Sequence, residues 1–315
     1  MKLLYYFLYA SSLLPMWVHY AFSDFLYLVA YRLLHYRRDI VRKNIETSFP
    51  DKSEKELRKI ERDFYHWFGD YIVETVKLLS ISEKQLKRRM VFKGAEVVDQ
   101  VVSEGQSCAV YLGHYCNWEW ITSLPLWVKN AQCGQIYHAL ENPSFDRLFL
   151  NLRQRWGAEC IAMAETLRRI IQYRQQGKQV VIGYISDQTP FWNNIHHWLP
   201  FLNHDTPVLT GTERLARQTG HAVFYMNVRR IKRGYYEAEF QLITRKPKEM
   251  KEFEITDIYF QKLEESIVRD PACYLWTHNR WKRTHEEYNI RLDPETGRVS
   301  LEYDLEKLKR ERGLI

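Results

Sequence analysis

Cys108-Ala109-Val110-Tyr111-Leu112 is a short apolar run that passes directly into Gly113-His114-Tyr115-Cys116-Asn117-Trp118-Glu119. An uninterrupted apolar run of this length, stopped by glycine, reads as a strand covered on both faces, because a half-exposed strand would alternate with polar residues. The polar cluster that follows sits at the strand's carboxyl end, where open α/β sheets gather their reactive groups. Outward from there the pattern repeats: helix over 118–128, strand over 134–140, and a helix over 143–156 with Pro143 in its first turn. A short strand at 158–162, a helix over 165–176 closed by Gly177 and a strongly apolar strand over 178–186 follow. This alternation predicts an α/β fold: a mixed, mainly parallel sheet flanked by helices.

The flanks read differently. A long loop over 188–209 carries Pro190, Pro200 and Pro207; then come a helix at 210–220 and two strands, 221–228 and 235–244, paired as a hairpin. A helix over 256–269 leads into an aromatic, basic segment at 274–283, and the tail from about 300 is charged. Upstream, 38–90 reads as helical. Ser53 with Glu56 three residues on forms a capping box, and Leu57, Ile60, Phe64, Trp67, Phe68, Tyr71 and Ile72 recur at helical spacing. The organisation expected is an anchor at 1–36, a helical segment at 37–90 packing on the catalytic domain, an α/β domain at 91–299 and a charged tail at 300–315.

Composition narrows the functions. With 315 residues, 45% apolar and 27% charged, the chain is neither disordered nor a polytopic membrane protein. A balance of +7 suits an anionic partner, and 15% aromatic residues suit either base stacking or a bilayer interface. The five cysteines include no C-x-x-C pair, which argues against a disulfide framework and a thiolate zinc site. No internal repeat, Walker sequence or G-x-G-x-x-G is present. From Leu3 to Ser23 there is no Asp, Glu, Lys or Arg, although Pro15 and His19 interrupt the stretch, and after Asp24 the apolar run resumes to Leu34. That is long enough for the roughly 20 apolar residues of a membrane-spanning helix. Arg32, Arg37, Arg38, Arg42 and Lys43 follow it while only Lys2 precedes, so the positive-inside rule places the remainder on the cytoplasmic side.

His114 and Glu119 can meet if the histidine sits in the loop and the glutamate in the first helical turn. Glu119 would then fix the imidazole tautomer and leave the other nitrogen as a general base. No serine adjoins the pair, so the base more plausibly activates a substrate hydroxyl. The bland reading is a histidine satisfied by a loop carbonyl beside a solvated glutamate. Cys116 lies in the same stretch, and His196 and His197 are adjacent and point apart on an extended chain, which makes a shared metal improbable.

The ordered set of blocks resembles the bacterial lipid A late acyltransferases. Gly113-His114 followed by Asn117-Trp118-Glu119 is similar to that family's signature, and Asn44–Pro50 with 64–69 to its preceding helices. Asn142-Pro143 with Arg153-Gln154-Arg155-Trp156-Gly157, then Ser186-Asp187-Gln188 with Pro200-Phe201, resemble its second and third blocks; Tyr274 to Lys282 resembles its closing block. Two departures stand out: Tyr115-Cys116 where the family more often has small residues or glycine, and Phe201-Leu202-Asn203 where it commonly turns on phenylalanine–glycine. The resemblance implies a glycerolipid-acyltransferase-like domain behind an N-terminal membrane-anchoring helix, in the bacterial inner membrane and facing the cytoplasm. It implies acyl transfer from acyl-carrier protein to a 3-hydroxyacyl hydroxyl of a lipid A precursor, with His114 as base, Glu119 as its orienter and backbone N–H groups near His114 for the oxyanion. Asn117, Arg153, Asp187, Gln188 and Arg280 are the expected substrate contacts, with Arg147 and Arg155 as rivals to Arg153. No metal, cofactor or nucleic acid is called for. The rival readings are an acyltransferase for another glycolipid or aminolipid with acyl-CoA or acyl-carrier protein as donor, a metal-dependent phosphoesterase holding its ion on His114, Glu119 and Asp187, and a non-catalytic lipid-binding relative.

Overall fold

A computed structural model describes residues 2–302 and 304–314. The chain runs through α1 (Lys2–Ser12), α2 (Met16–Tyr27), α3 (Arg38–Ser48), α4 (Glu54–Lys77) and α5 (Glu83–Arg89), then β1 (Met90–Lys93), α6 (Ala95–Ser103) and β2 (Cys108–Leu112). Next come β3 (Gln132–Tyr137), α7 (Pro143–Gln154), β4 (Glu159–Ala162), α8 (Thr166–Gln175) and β5 (Val180–Ile185). The remainder is β6 (Trp198–Phe201), β7 (His204–Pro207), α9 (Gly211–Thr219), β8 (Ala222–Lys232), β9 (Tyr235–Thr244), α10 (Glu254–Arg269), α11 (His285–Arg291) and α12 (Leu305–Glu311).

The main sheet has the order β1-β9-β8-β2-β5-β3-β4 and is parallel except between β8 and β9, as the alternating pattern predicts. β2 lies inside it between β8 and β5, and all five of its residues are buried. Its register with β5 pairs Leu112 with Ile185, so the residues two beyond each, His114 and Asp187, emerge side by side at one edge. The stretch after the site departs from expectation. It is a 3-10 helix, Trp120–Leu126, in which Thr122 and Ser123 turn their hydroxyls onto the carbonyls of Glu119 and Trp120 and Pro125 removes a donor.

Three strands lie where none was expected. β1, only four residues long, pairs parallel with β9 at the edge of the sheet, too short to show a period within a helical segment. The 188–209 loop contains the β6–β7 hairpin, whose two-residue turn places Leu202 and Asn203 at φ of 48° and 64°. Both signs match a type I′ turn, the geometry that lets a twisted hairpin close on two residues.

The N-terminus is not one long helix. The chain breaks at Pro15, and Leu4–Ser12 and Met16–Leu33, the latter ending in π-helical turns, meet at 120°. Among the described residues no single helix is long and apolar enough to cross a bilayer. The carbonyls freed at the break are not wasted on solvent: Lys77 Nζ donates to those of Ser12 and Leu14 at 2.7 and 2.8 Å, and Ser80 Oγ also reaches Ser12. α2 lies on α4 with Ser23 Oγ donating to Asp70 at 2.6 Å. The approach is close enough that a Cβ on Gly69 would stand 2.9 Å from the Ser23 carbonyl oxygen. α4 begins on the expected Ser53–Glu56 capping box, and its buried Glu61 accepts from Arg38 and Arg42 of α3.

Candidate active site

His114 leaves the end of β2 with a 20% exposed side chain. Its Nδ1 lies 2.7 Å from Asp187 Oδ1, and its backbone N–H donates to Asp187 Oδ2 at 3.0 Å. A carboxylate on Nδ1 calls for the proton there, leaving the Nε2 lone pair free to accept. Gln188 Nε2 approaches that nitrogen at 3.4 Å, a weak bond that an incoming hydroxyl can replace. Asp187 is buried, which by itself would raise its pKa. The His114 imidazole and N–H and the Arg280 charge outweigh burial and hold the carboxyl below its ordinary value.

Glu119 is elsewhere. Arg153 on α7 grips it with both arms, Nε to Oε2 at 2.9 Å and Nη2 to Oε1 at 2.6 Å, and the Tyr71 hydroxyl adds a longer contact at 3.4 Å. The expected His114–Glu119 pairing is therefore replaced by two separate pairs, His114–Asp187 and Glu119–Arg153. The reason is topological. Parallel register delivers Asp187 to the imidazole directly, whereas Glu119 starts the 3-10 helix facing α7. The same arrangement leaves no ion-binding trio on His114, Glu119 and Asp187, and among the described residues no three His, Cys, Asp or Glu side chains converge.

His114, Glu119 and Arg153 line a cavity of about 460 Å³. Its lining combines apolar Leu112, Ile121, Leu124, Ile136 and Met226 with polar His114, Glu119, Arg153 and Gln188. That volume lies in the ~300–1,000 Å³ range of small-molecule sites. Of the five expected substrate contacts, Arg153 and Gln188 face this space. Asn117, Asp187 and Arg280 do not. They are 0%, 2% and 1% exposed and belong to the wall behind it. Arg280 donates to the Pro207 carbonyl at 2.8 Å and approaches Thr189 Oγ1, which is itself bonded to the Arg280 carbonyl. Of the rivals to Arg153, Arg147 is exposed on α7 and Arg155 donates to the Leu78 carbonyl.

Two of the backbone N–H groups expected to serve the oxyanion beside His114 are taken. The His114 N–H serves Asp187, and the Cys116 N–H serves the Cys273 carbonyl at 2.8 Å. Cys116 itself is fully buried at φ of 53°, turned away from the cavity against Cys273. That left-handed backbone is one that glycine adopts without steric cost. Sequence reasoning did not single out His278, whose imidazole is pushed down to about 4 by burial and the nearby cations and stays neutral against Thr189. Nor did it single out Glu74, which accepts from Asn117 at 2.6 Å.

Residues 2–283 match the family described as bacterial lipid A biosynthesis acyltransferase. The chain belongs to that family. It is 25% identical over 267 residues to the lipid A biosynthesis lauroyltransferase of Escherichia coli K12, covering 82% of this chain and 83% of that one. It is 22% identical to the lipid A biosynthesis acyltransferase of Haemophilus influenzae over 198 residues, 62% of this chain and 61% of the relative. The lipid A biosynthesis myristoyltransferase of Escherichia coli K12 shares 22% over 138 residues, 42% of this chain and 41% of its own. The protein is thus an acyltransferase of lipid A biosynthesis.

Proposed function

We propose that this acyltransferase moves a fatty acyl chain from an acyl-carrier-protein thioester to the 3-hydroxyl of an acyl group on a lipid A precursor, with His114 as general base and Asp187 as its orienting partner. The observation that carries the reading is the His114–Asp187 pair, with His114 in the lining of a largely apolar cavity. The acceptor hydroxyl binds against Nε2 in place of Gln188, and its oxygen attacks the thioester carbonyl carbon while Nε2 takes the proton. Asp187 stabilises the imidazolium that forms. Collapse of the tetrahedral intermediate breaks the C–S bond, and the imidazolium proton leaves with the thiol.

With the His114 and Cys116 N–H groups occupied, the oxyanion falls to side-chain donors in the cavity lining, Gln188 Nε2 and the Arg153 guanidinium. Glu119 holds Arg153 there. Acyl-carrier protein and lipid A phosphates are both anionic, and the +7 balance favours their approach. Attachment to the cytoplasmic face of the inner membrane comes through α1, α2 and the π-helical turns that follow, which leave Phe7, Trp17 and Leu33 exposed at 67%, 73% and 71%.

The test uses detergent-dispersed protein, a tetra-acylated lipid A precursor and acyl-carrier-protein thioesters, with product mass as readout. A gain of one acyl chain is expected, abolished in His114→Ala and slowed about 10²–10⁴-fold in Asp187→Asn. Turnover with acyl-CoA only, or wild-type rates in His114→Ala, would overturn it.

A further inference from the structure

Glu74 has no part in the chemistry above. It is fully buried on α4, yet every hydrogen bond to its carboxyl comes from another part of the chain. Oε2 accepts from Asn117 Nδ2 at 2.6 Å and from the Tyr236 hydroxyl of β9 at 2.9 Å; Oε1 accepts from the Tyr20 hydroxyl of α2 at 2.9 Å. Its backbone carbonyl accepts from Trp120 Nε1 at 3.0 Å. A buried carboxyl that gathers donors from three elements is expensive unless all are satisfied, and here they are.

Asn117 is the useful end of this set. Its Oδ1 caps the Trp120 N–H at 3.0 Å, so its amide cannot turn over without stripping that bond, and its NH₂ must find an acceptor at Glu74. Between Asn117 and β2 lies His114, and just beyond it Glu119. We propose that Glu74 is a positioning residue: through Asn117 it fixes the loop that presents His114 and Glu119, and through Tyr20 it ties that loop to the seating of the N-terminal helices. This rests on the reading of His114 as the base. Gly234 supports the connection from a third side, since a Cβ there would fall on the Tyr20 hydroxyl.

The ionisable groups around Glu74 are Asp70 on its own helix, paired with Arg233 and Ser23, Tyr20 on α2 with Arg89 nearby, and Tyr236 on β9 with the Cys116 and Cys273 thiols beyond. Substitution can therefore separate shape from hydrogen bonding. Glu74→Gln can keep an oxygen on Asn117 and Tyr236 and turn its NH₂ to Tyr20, which then accepts. Glu74→Met fills the same space and offers no acceptor.

The experiment measures kcat and KM for the acyl donor in full-length wild type, Glu74→Gln, Glu74→Met, Asn117→Ala and the Met/Ala double variant. Glu74→Met should lose about 10–100-fold in kcat with KM within twofold, a misplacement effect, and Glu74→Gln should recover most of it. The double variant should be no worse than the poorer single, because both break one linkage. Equal loss in Gln and Met, or additive losses, would overturn the proposal. Should Glu74→Met fail to accumulate, Asn117→Asp serves instead. At low pH one shared proton lets the new acid donate to Glu74, so its activity relative to wild type should rise as pH falls; a flat ratio would overturn the linkage. Full activity in His114→Ala would instead remove the base reading and leave the Glu74 result uninterpreted as catalysis, so the two failures are told apart.

Discussion

Arg153 and Glu119 are each other's main partner, which makes them unequal targets for substitution. Glu119 is 1% exposed while Arg153 keeps 24% of its side chain accessible. Arg153→Met strands a buried carboxylate and should cost about 3–5 kcal/mol in chemical denaturation. Glu119→Gln retains one acceptor for the fork and leaves Arg153 able to reach cavity water, so it should cost clearly less. Glu74 sets a different balance. Burial, with Asp70 adding to it, raises its carboxyl from 4.5 to about 7, against the pull of its three donors. Between those values the folded chain binds more protons than the unfolded one, so the contribution of this group falls as pH rises and is fully lost above about 7. Glu74→Gln carries no such dependence, so its Tm relative to wild type should climb from pH 5 to pH 8, by an equivalent on the order of 3 kcal/mol. His278 and His221 act in the opposite sense. Both are held neutral near 4 by burial, so their contribution is present above 6.5 and lost as pH falls toward 4.

At the scale of elements, two close approaches can be tested by adding or removing a single carbon skeleton. Gly69→Ala would press a methyl on the Ser23 backbone, and α2 must lift to admit it; a loss of about 1–3 kcal/mol is expected, with hydrogen exchange rising first in α2. Leu202→Gly relieves a left-handed leucine but uncovers a side chain that is 2% exposed, and burial wins: a net loss of about 1 kcal/mol by denaturation. The same elements mark what sequence could and could not reveal. β2, β5 and the helices between them were legible because uninterrupted apolar runs and a glycine or proline at each end leave few alternatives. The I′ turn was hidden because neither leucine nor a lone asparagine announces it, and β1 because four residues at an edge carry no period. His114 was legible from its place at a strand end. Its partner was not, since the Asp187 contact depends on strand register across 73 positions. Nearness in sequence and the family resemblance both point to Glu119 as that partner, and neither carries strand register.

For the molecule as a whole, the cavity and the N-terminal helices make separate predictions. Gly211 opens α9 beside the cavity, and a Cβ added there meets nothing within 4 Å. Gly211→Leu should therefore fill space without strain and shift preference toward shorter acyl donors, read by competition between thioesters of different length. Replacing Phe7 and Trp17 with serine should move the protein from the membrane pellet to the supernatant while leaving turnover on detergent-dispersed substrate within about twofold, as neither touches the cavity. The joint between α2 and α4 has one more consequence. Ser23, Asp24, Tyr20 and Lys77 pin the N-terminal helices to the body with no slack chain between them. An enzyme held to a bilayer by such a joint meets its lipid in two dimensions, at one fixed tilt. Its rate should then follow molecules per unit area, and spreading a constant amount of acceptor through more neutral lipid should slow turnover even though the bulk concentration never changes.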